Sequence, residues 1–481
     1  MLKLLFKDSV IYTIPNLFSK GLGILVIPIY TRALTQTEYG NLDLLIVVAN
    51  LVNLTIAFEV SQGVARFYTA EKKKNNQKKI VSSAFIFFVI CHLFFLGAVH
   101  YFALPMSAFI IGPGADSTFF MLGMVYASVH GLFGFVQNQY RWDLKSIQYA
   151  SLSISTSVLS IIFAIYLAIF MDQGLTGIII GQCLGNTLGV IVGLYFQRKV
   201  FFNGFSLKYL RQMLSFSLPL VPAGLAIFFS NYLDRFMINQ MVGLEAVAIY
   251  GVGFRVAGLI GITIIGLKGA LMPAIYRYHD DASTPIKIEQ TFRIFITGAL
   301  FFSLIIILFS DVIIALLSGQ LYMPASSVVP FLIVGIILTQ TYIFTPGMAL
   351  AKKTALILFV NVVGIFVNAV MNFYLIPKFG ILGASIATFF SGLSLFSLNM
   401  YYSQRFYFVP HDWKKILIVL ISFTTLILSS FLRLEDLHLE LLMSFTLLSL
   451  MMIIIYKFDL VKRDEWSFFQ NFFKSLRLKR S

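Results

Sequence analysis

Ile80-Val-Ser-Ser-Ala-Phe-Ile-Phe-Phe-Val-Ile-Cys-His-Leu-Phe-Phe-Leu-Gly-Ala-Val-His-Tyr-Phe-Ala-Leu104 runs without a single Lys, Arg, Asp or Glu. As a helix rising 1.5 Å per residue, a stretch of this length covers about 37 Å, more than the roughly 30 Å of a bilayer's hydrocarbon core. Its apolar residues do not alternate with period two, which argues against a barrel strand. In lipid each backbone N–H and C=O needs an internal partner, and a helix supplies them all within the segment. The stretch therefore predicts a membrane-spanning helix.

The rest of the chain has the same character. Of its 481 residues, 58% are hydrophobic and only 12% charged, with mean hydropathy +0.87. Soluble chains carry about 25% charged residues, so half of the usual solvating surface is missing. Apolar runs of spanning length are predicted at 9–31, 41–60, 80–104, 117–138, 147–171 and 174–197. The second half adds 214–235, 246–272, 291–317, 324–350, 354–376 and 380–404, followed by 414–432 and 438–457. The sequence thus predicts an all-α integral membrane protein of about 14 transmembrane helices. The first run lacks a small-residue cleavage site and is expected to be retained.

The net charge of +15 would suit a nucleic-acid partner, but its distribution points elsewhere. Of the 36 Lys and Arg residues, 29 fall at the N-terminus, in alternate loops and in the C-terminal tail. The opposite loops hold only Arg32, Arg235, Lys378 and Arg433, and three more bases fall within spans. Basic loops stay on the cytoplasmic side, so both termini are expected there and no nucleic-acid partner is implied. Cys91 and Cys183 both lie in apolar runs and form neither a disulfide framework nor a metal-ligand spacing.

Three correspondences relate the two halves. Tyr39-Gly40 matches Tyr250-Gly251, Arg66 matches Arg277, and Gln173-Gly-Leu-Thr-Gly177 echoes Phe379-Gly-Ile-Leu-Gly383. Six spans separate the copies, giving both the same orientation, as in parallel transporter repeats. Two parallel-related six-helix lobes are expected at 1–205 and 206–405. A further helix pair and a basic tail occupy 406–481.

No paired carboxylates, metal cluster, nucleophile motif or phosphate-cradling loop is apparent, so an enzyme is not expected. The informative residues are ionisable groups at membrane depth: Lys20, Arg66, Arg235, Arg255 and Lys268 against Glu59 and Asp234. Charge at the bilayer centre costs about 2.5–3.5 kcal/mol on insertion scales, so such groups face a cavity or a partner. Lys268 and Arg66 could alternatively snorkel to the interface, and Asp234-Arg235 could form a local ion pair. An excess of cations favours an anionic substrate, and Arg suits phosphate oxygens through its fork of donors. Gly181, Gly185 and Gly189, with Asn361, Asn368 and Asn372, are expected to pack and bond neighbouring helices. Pro15, Pro28, Pro219 and Pro222 mark bends.

Three stretches carry a resemblance to a known family. They are Ile27-Pro-Ile-Tyr-Thr-Arg-Ala-Leu-Thr-Gln-Thr-Glu-Tyr-Gly40, Asp234-Arg-Phe-Met-Ile238 leading to Ala248-Ile-Tyr-Gly251, and Asn368 through Thr388. The last, Asn368-Ala-Val-Met-Asn-Phe-Tyr-Leu-Ile-Pro-Lys-Phe-Gly-Ile-Leu-Gly-Ala-Ser-Ile-Ala-Thr388, is the most specific. Over roughly 9–405 the chain resembles O-antigen or capsule polysaccharide flippases of the multidrug/oligosaccharidyl-lipid/polysaccharide (MOP) superfamily. The resemblance implies a bacterial inner-membrane protein that moves undecaprenyl-diphosphate-linked oligosaccharide to the outer leaflet by alternating access. It implies no cofactor beyond a proton or sodium gradient, and partners among membrane lipids, the lipid-linked oligosaccharide, a polysaccharide polymerase and assembly proteins. Lys20, Arg66, Arg255, Arg235 and Lys268 become substrate-binding candidates, and Glu59 and Asp234 ion-coupling candidates. A peptidoglycan-precursor flippase and a multidrug exporter are the rival readings.

Overall fold

The computed structural model describes Phe18, 21–261, Ile264, Leu271, 275–430 and 437–461. The described residues are 88% helical and contain no strand. Helix α1 covers Gly21–Ala33, α2 Gln36–Thr55, α3 Val60–Ala70, α4 Lys74–Ile110 and α5 Ser117–Trp142. They are followed by α6 (Ser146–Ile165), α7 (Gly174–Phe201), α8 (Leu207–Ser217), α9 (Val221–Met241) and α10 (Leu244–Ala257). The remainder comprises α11 (Thr284–Leu308), α12 (Ser310–Ser318), α13 (Val329–Gln340), α14 (Thr354–Phe406), α15 (Trp413–Ser430) and α16 (Leu437–Lys457). The protein is a multi-pass, all-helical membrane protein.

Among the described residues, eight helical segments are long and apolar enough to cross a membrane, nine if the bent pair α2–α3 counts as one. One of the eight is α14, whose 53 residues would extend about 80 Å if straight. It breaks at Gly380, at φ 57° and ψ −133°, so it supplies the two spans expected at 354–376 and 380–404. Among the described residues each expected span from 41 onward falls mainly on helix, whereas residues 9–17, 19 and 20 of the first span, most of 262–272 and residues 431–432 lie outside the described residues.

The helix ends follow from local chemistry. Thr35 opens α2 with a capping box: its hydroxyl accepts from the Glu38 N–H and the Glu38 carboxylate accepts from the Thr35 N–H. Phe58 and Glu59 take left-handed φ values of 48° and 52°, which breaks the helix and turns α3 by 48° from α2. At Pro105 the structure departs from expectation. The loop expected at 105–116 begins later, because α4 runs on to Ile110 by kinking at Phe102. Proline removes the N–H that would reach back one turn, and the non-helical φ/ψ at Phe102 absorbs that loss. Pro219 lies in the 3-10 turn Leu218–Leu220 between α8 and α9, and Pro222 lies in the first turn of α9.

Glycine sets the packing of α6 against α7. A Cβ at Gly177, Gly181, Gly185 or Gly189 would meet Ala168, Ala164, Ser160 or Thr156 in turn. Both series step by four residues in opposite directions, so the antiparallel backbones touch along a continuous seam. The sequence echo between the halves acquires a structural meaning at the same place. Gly174 and Gly380 both adopt positive φ, 51° and 57°, while Gly177 and Gly383 each press on the helix before the turn. Asn372 donates to Asn368 at 2.9 Å and Asn361 to the Ile357 carbonyl at 2.8 Å, so both bonds run within α14 and not between neighbouring helices as expected.

The chain divides into two compact units. The first takes residues up to Val252 with Leu316–Tyr322 and Ile365–Ala387; the second takes Gly253–Ala315, Met323–Gly364 and the chain from Thr388 onward. In the first unit, Val60, Val64, Phe85, Phe88, Phe135, Phe201 and Met213 form a buried core joining α3, α4, α5, α7 and α8. In the second, fully buried Arg293 of α11 bonds Glu289 at 3.1 Å and donates to the Leu460 carbonyl, tying the segment after α16 to α11.

Candidate functional site

Two polar constellations in the first unit involve residues singled out by the sequence. One is a buried ion network on α2, α9 and α10. Arg235 is 4% exposed, and its Nε donates to Asp43 Oδ2 at 2.9 Å. Its Nη1 lies 3.7 Å from Asp234 Oδ1, and the Tyr250 hydroxyl donates to the same carboxylate through Oδ2. Tyr232 and Tyr250 lie beside the guanidinium, at 5.4 and 5.8 Å from ring centroid to Cζ. A guanidinium withdrawn from water requires compensation of this kind.

Tight glycine packing brings these helices together. A Cβ on Gly40 would strike the Leu244 carbonyl at the start of α10, and one on Gly251 would lie 3.0 Å from Asp43 Oδ2. The two Tyr-Gly pairs detected as a repeat thus each face the other half of the chain. Nearby hydrogen bonds reinforce this end of the unit. Thr31 bonds the Leu317 carbonyl at 3.3 Å and Gln36 the Leu321 carbonyl at 2.7 Å. Asn239 bonds the carbonyls of Ile110 and Ile111 at 3.0 and 2.9 Å.

The second constellation is an open groove of about 830 Å³ between α3 and α8. Arg66, Lys208, Arg211, Gln212, Ser215 and Phe216 line it. At Gly63 a Cβ would sit 2.8 Å from Met213 Cβ, so α3 and α8 cross closely there. One turn beyond the crossing on each helix are Arg66 and Phe216, and the guanidinium covers the ring at 4.3 Å. Arg66, Lys208 and Arg211 are exposed, and none has an ion-pair partner among the described residues.

The other candidates are placed as follows. Glu59 is half-buried in the break between α2 and α3. Arg255 is half-buried in the last turn of α10 and belongs to the second unit. Lys20 and Lys268 lie outside the described residues. The structure therefore unites Asp234 and Arg235, gives Arg66 the basic neighbours Lys208 and Arg211, and does not place Glu59 in either constellation.

The expected surplus of five bases over two acids omitted Asp43, which lies within the predicted span 41–60 and engages Arg235. A carboxylate one turn after Tyr39-Gly40, in an otherwise apolar run, was the available signal. A second omission is Asp143, which accepts from Tyr68, from Gln139 at 3.0 Å, from Lys145 at 2.9 Å and from Gln197 at 3.2 Å. It joins the ends of α3, α5 and α7. Among the described residues no group of three or more His, Cys, Asp or Glu could hold a metal ion.

Comparison with known proteins places this architecture. The structure is similar to that of "Lipid II flippase MurJ, inward closed conformation", with TM-score 0.66 and 13% identity over 93% of this chain and 99% of the other. A "multidrug resistance MATE family transporter of the MOP superfamily", in an inward-facing conformation, gives TM-score 0.60 and 17% identity, covering 84% of this chain and 98% of the other. In sequence the chain is 23% identical over 423 residues to an uncharacterized membrane protein of Methanocaldococcus jannaschii, 82% of this chain and 97% of that protein. Residues 5–279, more than half of the chain, match the family described as "Polysaccharide biosynthesis protein". With a family match of that extent, the chain belongs to the polysaccharide biosynthesis protein family, and it shares its fold with these two solved membrane proteins.

Proposed function

We propose that this protein is a flippase that moves undecaprenyl-diphosphate-linked oligosaccharide units from the cytoplasmic to the outer leaflet of the bacterial inner membrane by alternating access. The family match over 5–279 is the observation that carries the reading. The fold it shares with a lipid flippase and with multidrug transporters supplies a suitable architecture. Substrate translocation by such a bundle needs no catalytic residue. In this reading Lys20, Arg66, Arg255 and Lys268 contact the diphosphate or acidic sugars during passage, with Arg235 a further contact once its pairs open. Asp234 and Glu59 couple movement to a proton or sodium gradient. In the Arg235 network two carboxylates face one guanidinium, an arrangement that supports Asp234 as the acid that exchanges a cation. The polymerase and assembly proteins that consume the flipped unit are the expected partners, and both termini are cytoplasmic.

Deletion of the gene in its native host, followed by fractionation of lipid-linked sugars, tests the proposal. Accumulation of one complete oligosaccharide diphospholipid with loss of surface glycan is the expected result. A second reading, a peptidoglycan-precursor flippase, draws support from the likeness to the lipid II flippase. Lethal deletion with a cell-wall defect would favour it over the first. Normal surface glycan with new sensitivity to cationic dyes would instead indicate a drug exporter.

A further inference from the structure

We propose that the α3–α8 groove is a docking site for the phosphate of a membrane lipid headgroup. Four observations converge there. The first is charge: Arg66, Lys208 and Arg211 line one cavity of about 830 Å³, and no Asp or Glu lines it with them. Three cations held together repel one another, so the groove gains from an anion that bridges them. The second is donor geometry. Lys208, Arg211, Gln212 and Ser215 follow the i, i+3, i+4, i+7 spacing of one helical face, opposite buried Leu210, Met213 and Ser217. Guanidinium and ammonium groups, with an amide and a hydroxyl beside them, suit the several oxygens of a phosphate.

The third observation is depth. Lys208 and Arg211 lie in the first turns of a continuous apolar segment, Leu207–Met241, that is long enough to span a membrane. Basic residues at such a boundary sit at headgroup level, where their stems cover apolar surface. The fourth is the flank. Phe202, Phe205 and Leu207 are 67%, 52% and 68% exposed just ahead of the basic face. An amphipathic segment with exposed aromatic and basic residues belongs in the membrane interface. Phosphate on an acyl or isoprenyl chain satisfies both the cations and this apolar flank, whereas free phosphate satisfies only the cations. Two lipids carry that chemistry: a bilayer phospholipid, which is the proposed occupant, and the isoprenyl diphosphate carrier of the proposed substrate, which the test separates from it. Only the second rests on the transport reading, and binding can be measured without transport.

The test uses the full chain purified in detergent, with native mass spectrometry of bound lipid. Probes are phosphatidylglycerol, phosphate-free diacylglycerol, farnesyl diphosphate and inorganic pyrophosphate. Wild type is expected to retain phosphatidylglycerol and to bind diacylglycerol at least about tenfold more weakly. The double variant K208Q/R211Q and the single variant R66Q should each weaken phosphatidylglycerol binding, the double by about tenfold. K73Q/K74Q removes the same charge from the start of α4, outside the groove, and should leave binding unchanged. Displacement of phosphatidylglycerol by farnesyl diphosphate would extend the site to the substrate carrier; lack of displacement would assign it to bilayer phospholipid. Equal binding by K208Q/R211Q and wild type would overturn the proposal. So would an equal loss in K73Q/K74Q, equal retention of diacylglycerol, or pyrophosphate binding as tight as that of the lipids.

Discussion

At the scale of single residues, the sequence revealed the ionisable groups of the membrane better than it revealed their partners. Asp234 and Arg235 are adjacent, so a local ion pair is one reading their spacing allows, but Asp43 lies 192 residues from Arg235 along the chain. No local spacing rule reaches across that separation. Removing one partner of a buried ion pair strands the other, so Asp43→Asn should destabilise the protein by about 3 kcal/mol. Tyr250→Phe removes one hydrogen bond to a buried carboxylate and should cost about 2 kcal/mol. Thermal unfolding in detergent should order them wild type, Y250F, D43N, and a D43N melt matching wild type would refute the network's structural role.

His411, between α14 and α15, offers a pH test. Its imidazole packs edge-on against Phe292 at 4.9 Å, and neither ring nitrogen finds a hydrogen-bond partner among the described residues. Burial pushes its pKa down from 6.5 to about 4. A histidine held neutral binds fewer protons folded than unfolded, so stability falls as pH drops through 6.5 and levels off near pH 4. Across that window the loss should reach about 3 kcal/mol, at 1.36 kcal/mol per pH unit. His411→Gln should flatten the melting temperature against pH in this range. An equally steep dependence in the variant would assign it to other groups.

At the scale of elements, hydropathy located the described helices to within about seven residues at their ends because lipid demands continuous apolar length. It said less about breaks. Pro105 looked like a loop residue, yet the helix continues past it through a kink, and the turn at Phe58-Glu59 carries no glycine or proline to announce it. The glycine seam was legible, since steps of four residues put Gly181, Gly185 and Gly189 on one helical face. What the sequence could not supply was the opposing surface, Ala164, Ser160 and Thr156. Their contact implies a contrast between two nominally identical changes. Gly181→Ala drives a methyl into the α6 backbone at Ala164 and should cost about 1–3 kcal/mol through overpacking. Gly134→Ala, where a Cβ meets nothing within 4 Å, should be neutral or stabilise by up to about 1 kcal/mol through helix propensity. Equal melting temperatures for the two variants would show that α6 and α7 do not touch along this seam.

At the scale of the whole molecule, orientation rests on charge, because an apolar span reads the same from either leaflet. Residues 66–79 carry six Lys and Arg, whereas 105–116 carry none. Basic residues near a span resist translocation, so the α3–α4 connection should face the cytoplasm and the α4–α5 connection the exterior. Single cysteines at Asn75 and Pro113, in a chain with Cys91 and Cys183 replaced by Ala, make this measurable. A membrane-impermeant maleimide should label P113C in intact cells and N75C only after permeabilisation. The opposite pattern would invert every loop, place the Arg66 groove at the outer leaflet, and reverse the direction of flux that the proposed function requires. Labelling of both sites in intact cells would mean that α4 does not cross the bilayer. The apolar run from Ile80 to Leu104 would then need a different explanation, since no soluble fold in this chain could bury it.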